Sequence, residues 1–410
     1  MTTGKAGKPL RRRLVDFLGL RRNIAALLIM VVLVGMGEKM AERFLPIYLL
    51  ALGGTTLSVG LLNGMDNLLS ALYSFPGGYL SDRLGHKRAL LLFNLVAMLG
   101  YVIVIAFPVW QAVIIGAVFF LSWTAISLPA TMSLIASALP TNKRTMGVSL
   151  HSLVRRIPMA LGPVVGGVLI SAFGEREGVR LAFVAAFVLG FVALVLQQIL
   201  VEDKKDPHTA PVGLLAMRKH MPPGLRNLLV SDILVRFCEQ IPYAFVVIWC
   251  IKNVGITPVE FGLLTTVEMV TAMLVYIPVA YLADKSAKKP FVLVTFLNFT
   301  LFPIVLFFSR SLPLLIVAFI VRGLKEFGEP TRKALIIDLA PEGQKAGMFG
   351  FYYLIRDIIV SAAAFGGAFL WNISPATNLF AAAGFGLIGA LYFALMGRDL
   401  SGATAEPQQR

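Results

Sequence analysis

Acidic side chains lie inside segments of this sequence that are otherwise apolar, and they are the residues best suited to chemistry. Glu38 and Glu42 are one helical turn apart in the apolar run 24–50, so a helix places both carboxylates on one face. A carboxyl group in a poorly solvated cavity can load and release protons near neutral pH. Glu38 is therefore the first candidate for a proton carrier and Glu239 the second. The proton-coupling candidates are Glu38, Glu42, Glu239 and Glu326.

A structural interpretation of the same carboxylates stays open. Glu38 and Glu42 have Lys39 and Arg43 beside them, and an ion pair within the helix would neutralise them without any transfer of protons. His86 and His151 are weaker alternatives for proton transfer, because they lie in a loop and near the end of an apolar run.

Other charged residues fall near the middle of further apolar runs, where a charge is costly unless it faces a cavity or a partner. Each can contact a substrate, or can form an ion pair: Glu326 with Lys325 or Arg322, and Asp357 with Arg356 or Arg155. The residues predicted to line a substrate cavity are Arg155, Arg156, Asp232, Arg236, Arg322, Lys325, Glu329, Arg356, Asp357, Ser122, Trp123 and Tyr243.

The segments that carry these residues are membrane helices. The chain has 410 residues, of which 57% are hydrophobic and 14% charged, whereas about 25% of residues are charged in soluble domains. A span needs ~20 apolar residues, and about twelve such runs can be placed. None alternates as a barrel strand does, so we predict an all-α membrane protein with twelve transmembrane helices.

The basic residues indicate the orientation of the helices. If the first span leaves the cytoplasm, the bases at 5–22, 83–88, 143–144, 204–226, 285–289 and 345 all fall on one side, which predicts cytoplasmic N and C termini. The excess of basic residues behind the formal net charge of +15 is therefore expected to orient the helices and to contact anionic lipid. Nucleic-acid binding is not expected.

One short pattern occurs twice, about 202 residues apart. The segment 78–88 ends an apolar run in one acid followed by several bases, and 280–289 repeats it in degraded form. Six further pairs recur in the same order at 200–202 residues, which indicates a duplication. We predict a basic N-terminus at 1–22, six-helix bundles at 23–201 and 227–397, a cytoplasmic linker at 202–226 and a tail at 398–410. The pattern's residues are Gly78, Asp82, Arg83, Gly85, Lys87, Arg88, Asp284 and Lys285.

These residues carry a resemblance to a known family. The Asp82 pattern resembles the loop signature between the second and third helices of the major facilitator superfamily (MFS) of secondary transporters. The fifth span contains Gly162, Pro163, Gly166 and Gly167, which resemble the antiporter motif of the drug/proton branch. The resemblance implies two six-helix bundles with a substrate site between them, and a gating role for Asp82 in latching the outward-facing state. Asp284 lacks the flanking glycines, so a second latch is in doubt.

The positions of the charged residues and the family resemblance identify the same helices as the outer, lipid-facing ones. The third, sixth, ninth and twelfth spans have interiors without a charge, and in the superfamily these are the outer, lipid-facing helices. The fourth span departs from the family because it lacks the basic residue of many proton antiporters, whereas the matching tenth span has Arg322.

The predicted function is secondary transport of a small organic solute across the inner or plasma membrane, by proton-coupled efflux and with alternating access between the bundles. Transport of an anionic metabolite or a carboxylate-liganded metal complex is the alternative, and a receptor that has lost transport is a third. We expect no enzyme activity, no cofactor and no resident metal, with the proton gradient as the energy source. The expected partners are substrate, protons and lipid, and the expected state is a monomer.

Overall fold

The structure is a computed structural model that describes residues 22–121, 123, 127, 144–200, 221–283, 287–341 and 345–398. Helices make up nearly all of these ranges, and no strand occurs within them. The predicted linker 202–226 therefore lies mostly outside the described residues, as do the basic N-terminus and the tail.

In the first half of the chain, the described residues between 22 and 200 form six helices. The longest is interrupted at Gly174, whose φ of 81° is left-handed and favours glycine, so it consists of two helices in sequence, as the fifth and sixth predicted spans require. The six are α1 Arg22–Glu42, α2 Leu45–Ala51, α3 Thr56–Leu84, α4 His86–Ala106, α5 Trp110–Phe120 and α6 Arg144–Leu200.

In the second half, the described residues between 221 and 398 form eight helices and a short π-helical turn at Trp249–Val254. They are α7 Pro223–Tyr243, α8 Phe245–Ile248, α9 Pro258–Ala283, α10 Lys289–Phe308, α11 Leu312–Leu324, α12 Glu329–Leu339, α13 Lys345–Ile373 and α14 Pro375–Met396.

Three predicted spans are broken rather than continuous. The first is interrupted after Glu42, and Pro46 lies in the first turn of α2, where its missing N–H is not needed. The matching seventh span bends by 41° between α7 and α8, just after Pro242. The tenth is interrupted between Leu324 and Glu329, where the N–H of Gly328 bonds Thr295 Oγ1 at 2.5 Å. Each break exposes backbone groups near the polar side chains described below.

Within the described residues, six helices are long and apolar enough to cross a membrane, or seven if α7 and the helical residues after its bend are one span. The number is below twelve because several predicted spans are broken or carry charges in their middle, and because α6 contains two of them.

The two halves pack on each other mainly through two helix pairs, with a smaller contact of α2 with α8. Within the first half α1 packs on α6, and α4 packs on α5 and α6; within the second, α14 packs on α7 and α10. Between the halves α3 packs on α13 and α6 packs on α9. Outside this core, α4, α10 and α14 present exposed apolar side chains such as Leu99, Leu297 and Leu391. The molecule has two ends: the Gly174 end, with the loops at 52–55, 174, 255–257 and 374, and the His86 end, where α4 and α10 begin.

Candidate functional site

In the first half, one lysine on α1 neutralises both leading carboxylates. Lys39 Nζ donates to Glu38 Oε1 at 3.0 Å and also to Glu42 Oε2. The structural interpretation of Glu38 and Glu42 therefore has direct geometric support. Their role in proton coupling stays a prediction.

In the second half, buried charges form a continuous chain of alternating sign. It begins with Arg322, whose Nε lies 3.3 Å from Glu268, and Glu268 is 3.4 Å from Lys325. Neighbours further along the chain are 2.6–3.5 Å apart, apart from one still closer pair, Arg332 and Asp232. We call this set the ion-pair chain; in order it is Arg322, Glu268, Lys325, Glu239, Arg236, Glu329, Arg332, Asp232, Arg356 and Asp357.

The ion-pair chain joins four elements of the second half. Its members come from α7, α9, the α11–α12 region and α13, and six of its nine links tie one of these elements to another. Five acids alternate with five bases, which lets a low-dielectric interior hold ten charges with no net charge. Of the predicted pairs, Asp357 does pair with Arg356, at 2.7 Å.

Glu326 pairs differently from the sequence-based expectation. It contacts Arg156 of α6 at 3.2 Å, rather than Lys325 or Arg322, and so links the two halves. The reason is the interruption after α11, which places Lys325 against Glu239 and Glu268 and leaves Glu326 facing the first half.

Two members of the ion-pair chain were missed as site residues by sequence reasoning. Glu268 is fully buried, and Arg332 is fully buried between Asp232 and Glu329. Glu268 carried a usable signal, because it aligns with Asp66 in the repeat. Arg332 lies near the end of its predicted span, where basic residues that orient a membrane helix are common. Nothing in the sequence therefore distinguished Arg332 from such a residue.

A cavity of about 510 Å³ lies between the halves. Its polar lining comes from both: Glu42, Arg43 and Asp66 from the first half, and Tyr243 and Arg322 from the second. The other residues around it are mainly apolar: Leu45, Pro46, Leu62, Asn63, Leu121, Ala244, Val246, Val247 and Phe261. A smaller cavity of about 280 Å³ shares Arg322 and Val246 with it and is lined also by Glu239, Phe299, Phe302 and Lys325.

Two charged residues of the larger cavity have no counter-charge within reach. Asp66 and Arg43 form no hydrogen bond and no ion pair within 4 Å to any residue that the structure describes. Arg43 instead lies over the Tyr243 ring, 5.3 Å from its centroid, and Arg322 lies 5.7 Å from the same centroid. Tyr243 thus faces one guanidinium from each half.

Several predicted cavity residues lie elsewhere. Trp123 is buried and its Nε1 donates to Asn94 Oδ1 at 2.7 Å, so it packs inside the first half and lines neither cavity. Asp232, Glu329, Arg356 and Asp357 belong to the ion-pair chain and line neither cavity. Arg155 is half-buried on α6. Ser122, Asp284 and Lys285 lie outside the described residues.

The loop pattern at the His86 end is described only in part. Gly85 has φ 82°, the left-handed value that favours glycine, where the chain turns from α3 into α4. Lys87 Nζ donates to the carbonyl of Gln198 at 2.7 Å, and Arg88 is exposed. The side chains of Asp82 and Arg83 and the surroundings of Gly78 lie outside the described residues, and the latch stays a prediction.

The fifth-span glycines allow close helix packing. A Cβ on Gly162 would meet Lys39 of α1, and Gly166 abuts the backbone of Met40. Gly167 abuts the backbone of Pro258 on α9, so the motif packs α6 on α1 and also on the second half. Among the described residues, no group of three or more His, Cys, Asp or Glu side chains is arranged to hold a metal ion.

The chain is similar in sequence to known transporters along most of its length. The sequence pattern described as "Major Facilitator Superfamily" matches residues 27–234 and 228–409. An uncharacterized MFS-type transporter of Methanocaldococcus jannaschii is 22% identical over 356 residues, 83% of this chain and 86% of that protein. Multidrug resistance protein MdtG of Escherichia coli (strain HS) is 24% identical over 392 residues, 91% and 93% of the two chains.

The fold is also similar to that of a solved transporter. A crystal structure of a mutant of the nucleoside transporter NupG superposes with a TM-score of 0.78 at 12% identity, covering 92% of this chain and 100% of the other. At that identity the likeness concerns the fold alone. The sequence match covers both halves, and the fold places a charged cavity between them: the chain belongs to the Major Facilitator Superfamily.

Proposed function

We propose that this protein is a proton-coupled exporter of small amphipathic organic solutes, working by alternating access around the cavity between its halves. The observation that carries the proposal is Asp66. Every other described carboxylate of the membrane interior has an ionic partner within 4 Å, whereas Asp66 lines the cavity without one. A proton or a substrate cation is then what neutralises Asp66, and competition between the two couples their movements.

Relatives and charge distribution support the remaining parts of the proposal. Proteins named for multidrug resistance are among those similar to this chain, which favours efflux and an amphipathic substrate. The one-sided distribution of bases favours twelve spans with both termini in the cytoplasm of an inner membrane. The predicted domain boundaries and the monomeric state belong to the same proposal.

Transport of an organic anion is the second candidate, because Arg43 and Arg322 both line the cavity. The two candidates differ in the sign of the charge that the cavity recognises. They share the same site and the same alternating-access mechanism.

The proposal is tested with the full chain in proteoliposomes. Uptake of ethidium, tryptophan and indole-3-propionate is followed under an imposed pH gradient, and exchange is followed by counterflow without a gradient. We expect Asp66→Asn to lose gradient-driven accumulation and to retain counterflow at saturating substrate, since the competition between proton and substrate at Asp66 is lost while the rest of the cavity remains. Asp66→Glu should keep both activities.

Two comparisons make the result decisive. Glu177→Gln, at an exposed acid of α6, is the matched control and should behave as wild type. If Glu38→Gln abolishes gradient-driven flux and Asp66→Asn does not, the coupling site is Glu38. Undiminished pH-driven accumulation in Asp66→Asn would exclude Asp66 from coupling.

A further inference from the structure

The cavity between the halves offers binding groups of both signs, and this bears on the class of its substrate. Asp66 offers a carboxylate and Arg43 a guanidinium, each without a hydrogen bond or ion pair to a described residue. Arg322 contacts Glu268 through Nε, and its other two nitrogens form no hydrogen bond within the described structure. Both guanidiniums are therefore able to donate to a ligand in the cavity.

Two guanidinium groups line the cavity and can receive an anion. Arg43 comes from the first half and Arg322 from the second, yet both lie over the ring of Tyr243, at 5.3 and 5.7 Å from its centroid. A carboxylate accepts two or more N–H groups and is the natural ligand of such a pair.

The membrane interior is formally neutral before a substrate binds. Among described residues the acids and bases balance, if the half-exposed Lys333 is set aside. The acids are Glu38, Glu42, Asp66, Asp232, Glu239, Glu268, Glu326, Glu329 and Asp357. The bases are Lys39, Arg43, Arg155, Arg156, Arg236, Arg322, Lys325, Arg332 and Arg356. A ligand with a single charge gives this interior a net charge, which a low-dielectric medium disfavours, whereas a zwitterion does not.

The rest of the cavity wall is apolar. Leu62, Val246, Val247 and Phe261 enclose the space between the charged groups. The apolar body of a ligand would therefore meet apolar side chains beside the polar groups of the cavity.

We infer that the substrate is a zwitterionic amphipathic solute. Its carboxylate binds the guanidinium of Arg43, its ammonium group binds Asp66, and its apolar body packs on the cavity wall. The inference rests on the proposed function only in using the same cavity, since it concerns which ligand binds and not how transport is driven. In this inference, the ammonium group of the substrate competes with a proton for Asp66.

The test measures equilibrium binding to the purified full chain in detergent, with no gradient. Three probes share an indole ring and a two-carbon chain: tryptophan carries both charges, indole-3-propionate only the carboxylate, and tryptamine only the ammonium group. We expect tryptophan to bind about tenfold or more tightly than either relative, because each lost partner removes one charge-assisted contact. Tighter binding by tryptamine or by indole-3-propionate would overturn the inference.

Variants separate recognition from stability. Arg43→Gln should weaken tryptophan and indole-3-propionate and leave tryptamine unchanged, whereas Asp66→Asn should weaken tryptophan and tryptamine and leave indole-3-propionate unchanged. Equal losses for all three probes, or no binding of any probe at millimolar concentration, would count against it. Binding is measured without a gradient, so the two tests are independent. If the zwitterion does not bind preferentially, proton-coupled transport of another class of solute is still compatible with the result. If pH-driven transport fails, the measured binding preference is unaffected.

Discussion

At the scale of single residues, Arg332 shows how the second half holds its charges. Its side chain is 1% exposed; it donates to Glu329 at 2.6 and 3.0 Å and to Asp232, which also accepts from the Tyr352 hydroxyl at 3.0 Å. Arg332 is therefore the closest base to both of these acids. Arg332 contacts neither cavity, so its contribution is to the integrity of the ion-pair chain.

Removing this base should destabilise the protein strongly. Arg332→Gln leaves Asp232 and Glu329 short of positive charge in a buried site, and loss of one partner from such a pair typically costs about 3–5 kcal/mol. We expect a marked fall in the thermal unfolding midpoint in detergent. Lys333→Gln is the matched control, because Lys333 is the next residue, pairs with the same Glu329 at 3.7 Å and is 45% exposed. Equal midpoints for the two variants would contradict a structural role for Arg332.

At the scale of elements, the contact of α6 with α9 depends on glycines from both halves. A Cβ on Gly262 would lie 2.6 Å from the Pro163 carbonyl oxygen, and one on Gly167 would overlap the Pro258 backbone. Backbone obstacles cannot move aside as a side chain can, so the two helices must separate if either glycine acquires a side chain. The contact holds the halves together toward the Gly174 end.

Gly262→Ala should therefore shift the protein toward a state that is more open at the Gly174 end. Leu62→Cys, at the cavity wall, reports the change through its reaction with a membrane-impermeant maleimide added from each side. The background is low because Cys238 and Cys250 are both buried. We expect several-fold faster labelling from the Gly174 side. Gly366→Ala, where a Cβ meets nothing within 4 Å, should label as the parent does, and unchanged labelling in Gly262→Ala would exclude this role for the contact.

The elements also show what the sequence allows one to predict. The close packing of the fifth span against its neighbours follows from the small size of the glycines in its motif. The absence of charged residues from the interiors of α4, α10 and α14 follows from the cost of exposing a charge to lipid. The order of the ion-pair chain does not follow, because it depends on a break of the tenth span, and that break depends on Gly328 meeting α10. Asp66 was passed over because its lack of a partner is a property of three-dimensional distances, not of spacing along the chain.

At the scale of the whole molecule, the proposed alternating access requires the two halves to close on alternate sides of the cavity. Toward the Gly174 end they are joined by α6 with α9 and by hydrogen bonds such as Asn63 Nδ2 to the Gln240 carbonyl, at 3.0 Å. The ion pair between Arg156 and Glu326 joins the two halves at a different depth along the helices. Glu326 is about one helical turn beyond Arg322, away from the Gly174 end, so this ion pair lies between the cavity and the His86 end.

An ion pair in that position must open whenever the cavity communicates with the His86 end, and exchange of its charges tests this. Glu326→Arg opposes Arg156 with a second cation, so the halves should separate there, and Leu62→Cys should react faster with maleimide from the His86 side. The double variant with Arg156→Glu restores opposite charges and should return labelling to within about twofold of the parent, because a charge-reversed pair retains its Coulomb attraction. If the double variant labels as fast as Glu326→Arg alone, the two residues act independently and the pair is not a gate. If neither single reversal changes labelling from the His86 side, that end is held closed by other contacts and Arg156–Glu326 contributes only to local packing.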